Sequence, residues 1–394
     1  MMLGLIKLPN KTYPCIAGSL EAAVGSVLRI DRMKPRNPQE FCRAIPPTWG
    51  RFLDHLTDQH VQLRQARREP YLHAPIELID RTSPAWLIAR VRYELRARTI
   101  LSKIRFAPLM GAITWNGLAG DAALAAQALR ELGIPTLYAE LSPFKGRYFL
   151  DHLGVNAGSS LQDVVPERLP AYEDEDRLFA TLKENYRGRR TPTSALNDPS
   201  SLPSSFVFAP LQIPVDTQII VHGGAIRRQS EYLDMLRNIA EQLPKGMTLV
   251  VKPHPGSHYR ASYLQEMIGE NIVLATDYET RDLLERCTAV ITVNSTVGAD
   301  GFLFDKPIIA VGNAPWVKPA LAVQATTPTG VCEALAALPT FDKRLRKRFL
   351  AHWYHAYTWC AHDEPRTLRP FLEAKLEAAG VHKGEGHRHA QPSC

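Results

Sequence analysis

Along the second half of the chain, short apolar, β-branched runs alternate with amphipathic stretches. FVFAPLQ, MTLVVKPHP, NIVLAT, AVITVNST and KPIIAVG are runs of the kind expected of strands buried on both faces. Between them, EYLDMLRNIAEQL and DLLERC read as helices. Strand and helix alternating at this interval predict a doubly wound parallel sheet. The first half carries a similar unit. GAITWNG reads as a strand ending in a Gly turn, DAALAAQALREL as an Ala-rich helix opened by Asp121, and IPTLYAE as the next strand, with Gly133 marking the helix end. Such a βαβ unit takes a right-handed crossover and a parallel sheet. The first hundred residues are less regular: basic, helix-prone stretches such as WLIARVRYELRARTILSKI (86–104) alternate with Pro-containing loops.

An acidic run (YEDED), a basic run (RGRR) and a segment rich in Ser, Pro and Thr separate the two halves and predict a linker. The expected organisation is an acceptor-side α/β domain over 1–170, a linker over 171–205 and a nucleotide-sugar-binding α/β domain over 206–341. C-terminal helices over 342–380 pack back, and a polar, disordered tail follows over 381–394. The fold class expected is α/β, with two facing Rossmann-like domains and an interdomain cleft for donor and acceptor.

The 394 residues are 45% hydrophobic and 22% charged, enough for a sizeable core in a soluble protein of about two or three domains. No apolar run approaches the roughly 20 residues that span a bilayer, and the start lacks signal-peptide regions, so a cytoplasmic protein is expected. Cys15, Cys42, Cys287, Cys332, Cys360 and Cys394 form no CxxC pair and read as free thiols, without zinc or disulfides. The net charge of +7 comes without the concentrated basic and aromatic stripe that nucleic acid requires, with one exception. Lys343-Arg344-Leu345-Arg346-Lys347-Arg348, followed by FLAHWYHAYTW, fits either a solvated basic helix start with an aromatic core face or contact with an anionic membrane surface. His382, His387 and His389 in the tail read as solvated.

Candidate chemistry collects where strands end. Lys252, His254 and Pro255 follow TLVV. Asn294, Ser295, Thr296 and Gly298 follow AVITV at a helix start. A cation, an imidazole and hydroxyls at such positions suit an anionic phosphate, and the pair of loops reads as a nucleotide-sugar site. Ser295 equally suits a helix N-cap. Gln212, Asp216 and Gln218 cluster after FVFAP, with His222-Gly223-Gly224 beyond. Asp216 is either a cap or a carboxylate facing an anomeric carbon. His254 is placed to donate to a leaving phosphate. In the first half, Glu140 ends a strand and is a candidate general base, with Trp115, Asn116, Asp151 and Asn156 as acceptor-side residues. No metal or cofactor is expected.

Seven segments in order, WNG (115–117), YAE (138–140), DHLGVN (151–156), FAPLQIPVDTQI (208–219), KPHP (252–255), NSTVG (294–298) and KPIIAVG (306–312), resemble the capsular polysaccharide biosynthesis family. Its members attach β-linked Kdo to a lipid anchor. The resemblance covers about residues 110–315. It implies a GT-B-type fold, a CMP-Kdo donor consumed as substrate, and a phosphatidylglycerol-type acceptor at the cytoplasmic face of the inner membrane, beside capsule assembly proteins. The HP and S-S/T motifs are also similar to those of bacterial sialyltransferases. On that likeness His254, Pro255, Ser295 and Thr296 would bind CMP, Asp216 would be the nucleophile, and Glu140 would match the family's acidic residue. The chain reads Glu140-Leu141-Ser142 where the family has an acidic residue, a polar residue and Gly. A CDP-glycerol transferase and a non-catalytic capsule assembly or export component are the competing expectations.

Overall fold

The computed structural model describes residues 2–6, 13–29, 45–68, 79–188, 197–214, 216–257, 264 and 271–381. The tail expected to be disordered, with His382, His387 and His389, lies outside the described residues, as do Cys42, Cys394 and part of the expected linker (189–196). The chain divides into two compact units. One contains Met1–Asp58, Arg81–Ser160 and His355–Cys394, and the other Gln59–Asp80 and Leu161–Tyr354.

The first unit is built on a six-stranded sheet of order β12-β5-β4-β3-β1-β2. Its strands are β1 (Met2–Ile6), β2 (Ser26–Arg29), β3 (Gly111–Trp115), β4 (Thr136–Leu141), β5 (Arg147–Asp151) and β12 (Thr358–Cys360). β2, β1, β3 and β4 run parallel, while β5 and β12 are antiparallel additions. Alternate residues of β3 point to opposite faces, so Ile113 joins one core cluster and Ala112 another. The first cluster takes in Leu3, Leu5 and Leu137 together with Leu20 of α1 (Tyr13–Val24) and Leu372 of α12 (Pro365–Val381). The second joins Leu53 of α2 (Trp49–Arg68), Leu101 of α3 (Pro84–Arg105) and Leu124 of α4 (Gly120–Glu131). The expected βαβ unit is thus present as β3-α4-β4, with its parallel pairing. Two features depart from expectation. Arg147–Asp151 is a further strand that no predicted element covers, and the C-terminal segment contributes a strand as well as helices. Arg147 holds the added edge, donating to Thr358 Oγ1 at 2.7 Å and to its carbonyl at 2.9 Å.

The second unit has an all-parallel sheet of order β11-β10-β9-β6-β7-β8. Its strands are β6 (Phe206–Pro210), β7 (Thr248–Lys252), β8 (Ile272–Leu274), β9 (Ala289–Thr292), β10 (Ile308–Ala310) and β11 (Val323–Gln324). All five residues of β6 are buried, which accounts for an apolar run with no alternation. Tyr232, Leu236 and Ile239 of α7 (Gln229–Gln242) pack on the sheet, and Val331 and Leu335 of α10 (Pro328–Ala337) join the same cluster. Part of the stretch expected as linker folds with this unit. It forms α5 (Glu175–Glu184), and Tyr172 OH lies 2.7 Å from His352 Nδ1.

The basic stripe 343–348 begins α11 (Lys343–Tyr357). Lys343 pairs with Asp305 at 2.9 Å, Lys347 with Asp176 at 2.6 Å and Arg348 with Glu175 at 3.6 Å. Arg346 is buried, donates to the carbonyls of Leu321 and Lys306, and lies 4.6 Å from the Phe302 ring centre. Phe349, Trp353 and Tyr357 are buried too. The stripe is neutralised within its own fold and its aromatic face is core, so of the two expected roles the structural one accounts for it. Cys287, Cys332 and Cys360 are free thiols, and no described helix is long and apolar enough to cross a membrane.

Candidate functional site

Parallel sheets bind ligands outside the carboxyl ends of their strands, where the order of connection reverses. In the second unit the chain runs from β6 outward to β7 and β8, then returns to the other side of β6 to lay down β9. The switch point therefore lies between β6 and β9. Phe208 is in register with both Val250 and Val290. Counting four residues onward places His254, Gln212 and Asn294 at one level, just past the carboxyl edge. The side chains bear this out: Gln212 Nε2 donates to Asn294 Oδ1 at 2.8 Å, and Asn294 Nδ2 donates to the Gln218 carbonyl at 2.9 Å. These two bonds tie the loop after β9 to the loop after β6, across the switch point.

His254 stands one strand further along, in the loop after β7, and is half-buried. Its Nδ1 accepts from Gly256 N–H at 2.9 Å, and its carbonyl receives both the N–H and the hydroxyl of Ser257. An accepting Nδ1 leaves Nε2 as the protonated nitrogen of the neutral ring, which is the atom a phosphate oxygen needs. A Cβ built on Gly256 would lie 3.2 Å from that Nδ1 and 3.5 Å from Ile213 Cδ1, so the loops after β7 and β6 adjoin. Ser295 is half-buried at the same sheet edge, about 10 Å away given two strand spacings.

Several candidates have a structural occupation. Lys252 is buried, with its ammonium donating to the carbonyls of Tyr278 at 2.6 Å, Thr276 at 3.1 Å and Ala275 at 3.3 Å. All three protons are thereby engaged below the His254 loop, and burial lowers the Lys252 pKa against the opposing pull of Glu279 and Asp277. Asp216 caps α6 (Thr217–His222), its Oδ1 accepting from Gln218 N–H at 2.9 Å. Ser295 caps α9 (Thr296–Asp300), its Oγ accepting from Val297 N–H at 3.3 Å. At five residues α9 has little macrodipole, so hydroxyls rather than a helix end supply the polarity there. Thr296 is exposed, and Pro255 is half-buried in the His254 turn. Gly298 is a packing position, since a Cβ there would lie 2.3 Å from the Trp316 ring.

In the first unit, Trp115 and Asn116 end β3 beside Ala139 and Glu140 of β4, and Asn116 N–H extends the ladder to the Ala139 carbonyl at 2.8 Å. Asn156 reaches back to donate to Glu140 Oε2 at 2.6 Å, and Trp115 stands edge-on to Tyr148. Glu140 is half-buried with Asn156 against it, whereas Trp115 packs with Ala139 on the first core cluster. Asp151 does not join Glu140 and Asn156. It pairs with Tyr138, two positions below Glu140, and is fully buried. Its carboxylate accepts from the N–H groups of Leu153, Gly154 and Ser160 and from the Ser160 hydroxyl, with Lys375 at 3.7 Å. Such a group frames the 152–160 loop and cannot touch an acceptor.

Polar atoms around the switch point remain unmatched by protein. Gln212 Oε1, Gln218 Nε2 and His222 Nε2 are buried with no hydrogen-bond partner among the described residues. His222 was legible only as part of an HGG turn. Burial pushes its pKa down to about 4, so the ring is neutral near pH 7. Gly223 next to it allows the tight turn, because a Cβ there would meet the Ile226 carbonyl oxygen at 1.9 Å.

A family model described as capsule polysaccharide biosynthesis protein matches residues 164–352. Protein FixF of Sinorhizobium fredii is 28% identical over 258 residues, which span 62% of this chain and 59% of FixF. The capsule polysaccharide export protein KpsS of Escherichia coli is 28% identical over 123 residues, or 29% of this chain and 32% of KpsS. The chain thus spans less than two thirds of either relative. Among solved structures, Thermosulfurimonas dismutans KpsC, β-Kdo 2,7 transferase, superposes with a TM-score of 0.50 at 13% identity, covering 94% of this chain and all of that one. This is a likeness of fold, and it makes the α/β architecture GT-B-like. Residues 164–352, which hold every candidate on the second sheet, are the part of the chain that matches the capsule polysaccharide biosynthesis model.

Proposed function

We propose that the chain is a glycosyltransferase of capsule-type polysaccharide assembly. Its donor is a CMP-activated acidic sugar, Kdo or a close relative, and its acceptor a lipid-linked, phosphatidylglycerol-type molecule met at the inner-membrane surface, where other capsule assembly proteins work. The observation that carries this reading is the bonded row Gln212–Asn294–Gln218 at the switch point, with His254 on one flanking loop and Asp216 and Ser295 beside it. In this mechanism His254 donates from Nε2 to the CMP phosphate as the sugar–phosphate bond breaks, which offsets the charge that develops on the leaving group. Ser295 and Thr296 supply hydroxyl contacts to the nucleotide. Gln212 Oε1 and Gln218 Nε2, an acceptor and a donor without partners among the described residues, hold its polar edges. Asp216 attacks the anomeric carbon and is displaced by the acceptor, so configuration is retained. Glu140, oriented by Asn156, takes the acceptor proton.

CMP added to the full chain should raise its melting temperature, and His254→Ala should abolish the rise. Incubation with CMP-Kdo should give an adduct on Asp216 in the intact protein by mass spectrometry. Absence of any CMP effect at millimolar concentration refutes the reading, and turnover of CDP-glycerol with CMP-Kdo inert replaces the donor.

A further inference from the structure

Helix α3 breaks the rule that a surface helix turns polar residues outward. Its inner face is ordinary: Tyr93, Ala97 and Leu101 enter the core. Its outer face exposes Leu87 at 48%, Ile88 at 53%, Val91 at 58% and Leu95 at 47%. These positions recur every three or four residues and form one stripe over two turns. The helix itself is firmly built. Ser83 caps it by accepting from Trp86 N–H, Pro84 occupies its first turn, Trp86 Nε1 donates to Asp58 at 2.8 Å and Arg90 to Asp54 at 2.7 Å. The stripe is therefore a stable surface of the folded unit.

Its height on the unit follows from an ion pair. Arg96, midway along α3, lies 3.4 Å from Asp121. Asp121 opens α4, which begins where β3 ends, so Arg96 is level with the carboxyl edge of the sheet. From Ser83 the helix descends to the loop that feeds the foot of β3. Leu87 is nine residues before Arg96 and so stands about 13 Å beyond that edge. Trp115, Asn116 and Glu140 end their strands at this same end, where Leu141 is exposed as well.

The charge of the helix selects the occupant. It carries six cations, Arg90, Arg92, Arg96, Arg98, Lys103 and Arg105, against one carboxylate, Glu94, and Arg90 and Arg98 already bind that carboxylate. Two copies of this helix meeting along the stripe would set rows of arginine against each other, which disfavours a self-paired seam. An anionic bilayer instead accepts the apolar stripe among its acyl chains and the flanking Arg92 and Arg96 among its headgroups. We propose that α3 is an interfacial membrane-docking helix that seats the acceptor end of the first unit on an anionic lipid surface. The proposal stands independently of the donor reading, because no residue of the second unit takes part.

The test is co-sedimentation of the full chain with vesicles of phosphatidylcholine, with and without phosphatidylglycerol. Binding is expected only with phosphatidylglycerol, and the double substitution Ile88→Asp, Val91→Asp should weaken it by about a hundredfold. Arg92→Glu should weaken it by about tenfold and flatten its salt dependence. Both variants change exposed positions and should keep the wild-type melting temperature and the CMP response. As a fold-independent readout, Leu87→Cys carrying an environment-sensitive fluorophore should shift to the blue on phosphatidylglycerol vesicles. Equal binding to both vesicle types, or an unchanged double variant, overturns the proposal. So does concentration-dependent dimerisation lost in the same variants without vesicle binding. Failure here with the CMP response intact leaves the donor reading standing.

Discussion

Lys252→Met separates two roles for a lysine that the sequence places on a phosphate loop. In the structure its ammonium donates to three carbonyls, at 2.6, 3.1 and 3.3 Å, and methionine preserves the stem while deleting every donor. A hydrogen bond from a charged donor contributes about 1.5–3 kcal/mol, and carbonyls left buried without a donor lose more than the mean bond is worth. Against this, the substitution abolishes the cost of burying a cation, which is large enough to lower the Lys252 pKa. The balance is a loss of about 3 kcal/mol, the lower end for breaking one side of a buried charged interaction. For a unit of this size that corresponds to a fall of about 6–12 °C in melting temperature. Differential scanning calorimetry of the full chain would measure it, with CMP titrated by calorimetry in parallel. CMP affinity should fall by less than about tenfold, through a loosened His254 loop. If the melting temperature holds while CMP affinity collapses, the ammonium reaches the phosphate and the framing role is wrong.

Gly298→Ala should cost about 2 kcal/mol and alter the near-ultraviolet circular dichroism of Trp316, since the new methyl must displace a fully buried indole; an unchanged melting curve and spectrum would remove the packing explanation. His222 has a pH signature. Its folded pKa, near 4, lies below the unfolded value of about 6.5, so protonation favours the unfolded chain. Its contribution is complete above about pH 6.5 and declines as pH falls towards 4, by at most about 3 kcal/mol. Urea unfolding at pH 7.5 and pH 5 should show a smaller loss for His222→Gln than for wild type, and identical losses would exclude the imidazole as the source.

What could be read in advance depended on how many faces of an element are buried. β6, β7, β9 and β10 are covered on both sides, so their apolar runs stood out, and the motifs after them followed at the predicted sheet edge. β5 and β12 are short additions at one sheet edge, five and three residues long, with Arg147 and Asp151 at the ends of one and Cys360 closing the other. Neither has an alternation long enough to register. In the candidate site, Gln212, Asn294 and Gln218 were legible as residues but not as a bonded row. That row depends on two strands adjacent in space and 82 positions apart in the chain. Gly298 pointed to a ligand because its neighbour in contact, Trp316, is eighteen residues away. The basic stripe at 343–348 left two readings open for a related reason. Asp176 and Glu175, which neutralise part of it, come from the stretch expected to be a linker.

In both units, depth separates framing groups from those proposed to react. Asp151 and Lys252 are the most tempting charges in their motifs, and both are buried with several local hydrogen bonds. For Asp151, burial raises the pKa, but the hydrogen bonds from His152 and Ser160 and the charge of Lys375 outweigh it and hold the carboxyl below the usual range. A carboxylate so tightly matched is a poor nucleophile and a poor base, because any reaction must first break bonds that stabilise its charge. His254, Asp216 and Glu140 are half-buried. Each is oriented by a short bond: from Gly256 N–H at 2.9 Å, from Gln218 N–H at 2.9 Å and from Asn156 at 2.6 Å. An oriented group with solvent access on one side can meet a substrate in a fixed direction and still change its protonation state. The two kinds of residue cooperate: Lys252 anchors the strand end from which the His254 loop departs, and Asp151 organises the loop from which Asn156 reaches Glu140. Deleting either frame should therefore act on chemistry through stability and loop order, whereas deleting His254 or Glu140 should act on chemistry while leaving the melting temperature nearly unchanged. Deleting Asp216 should add to the loss of chemistry only the modest cost of a helix cap, about 1 kcal/mol.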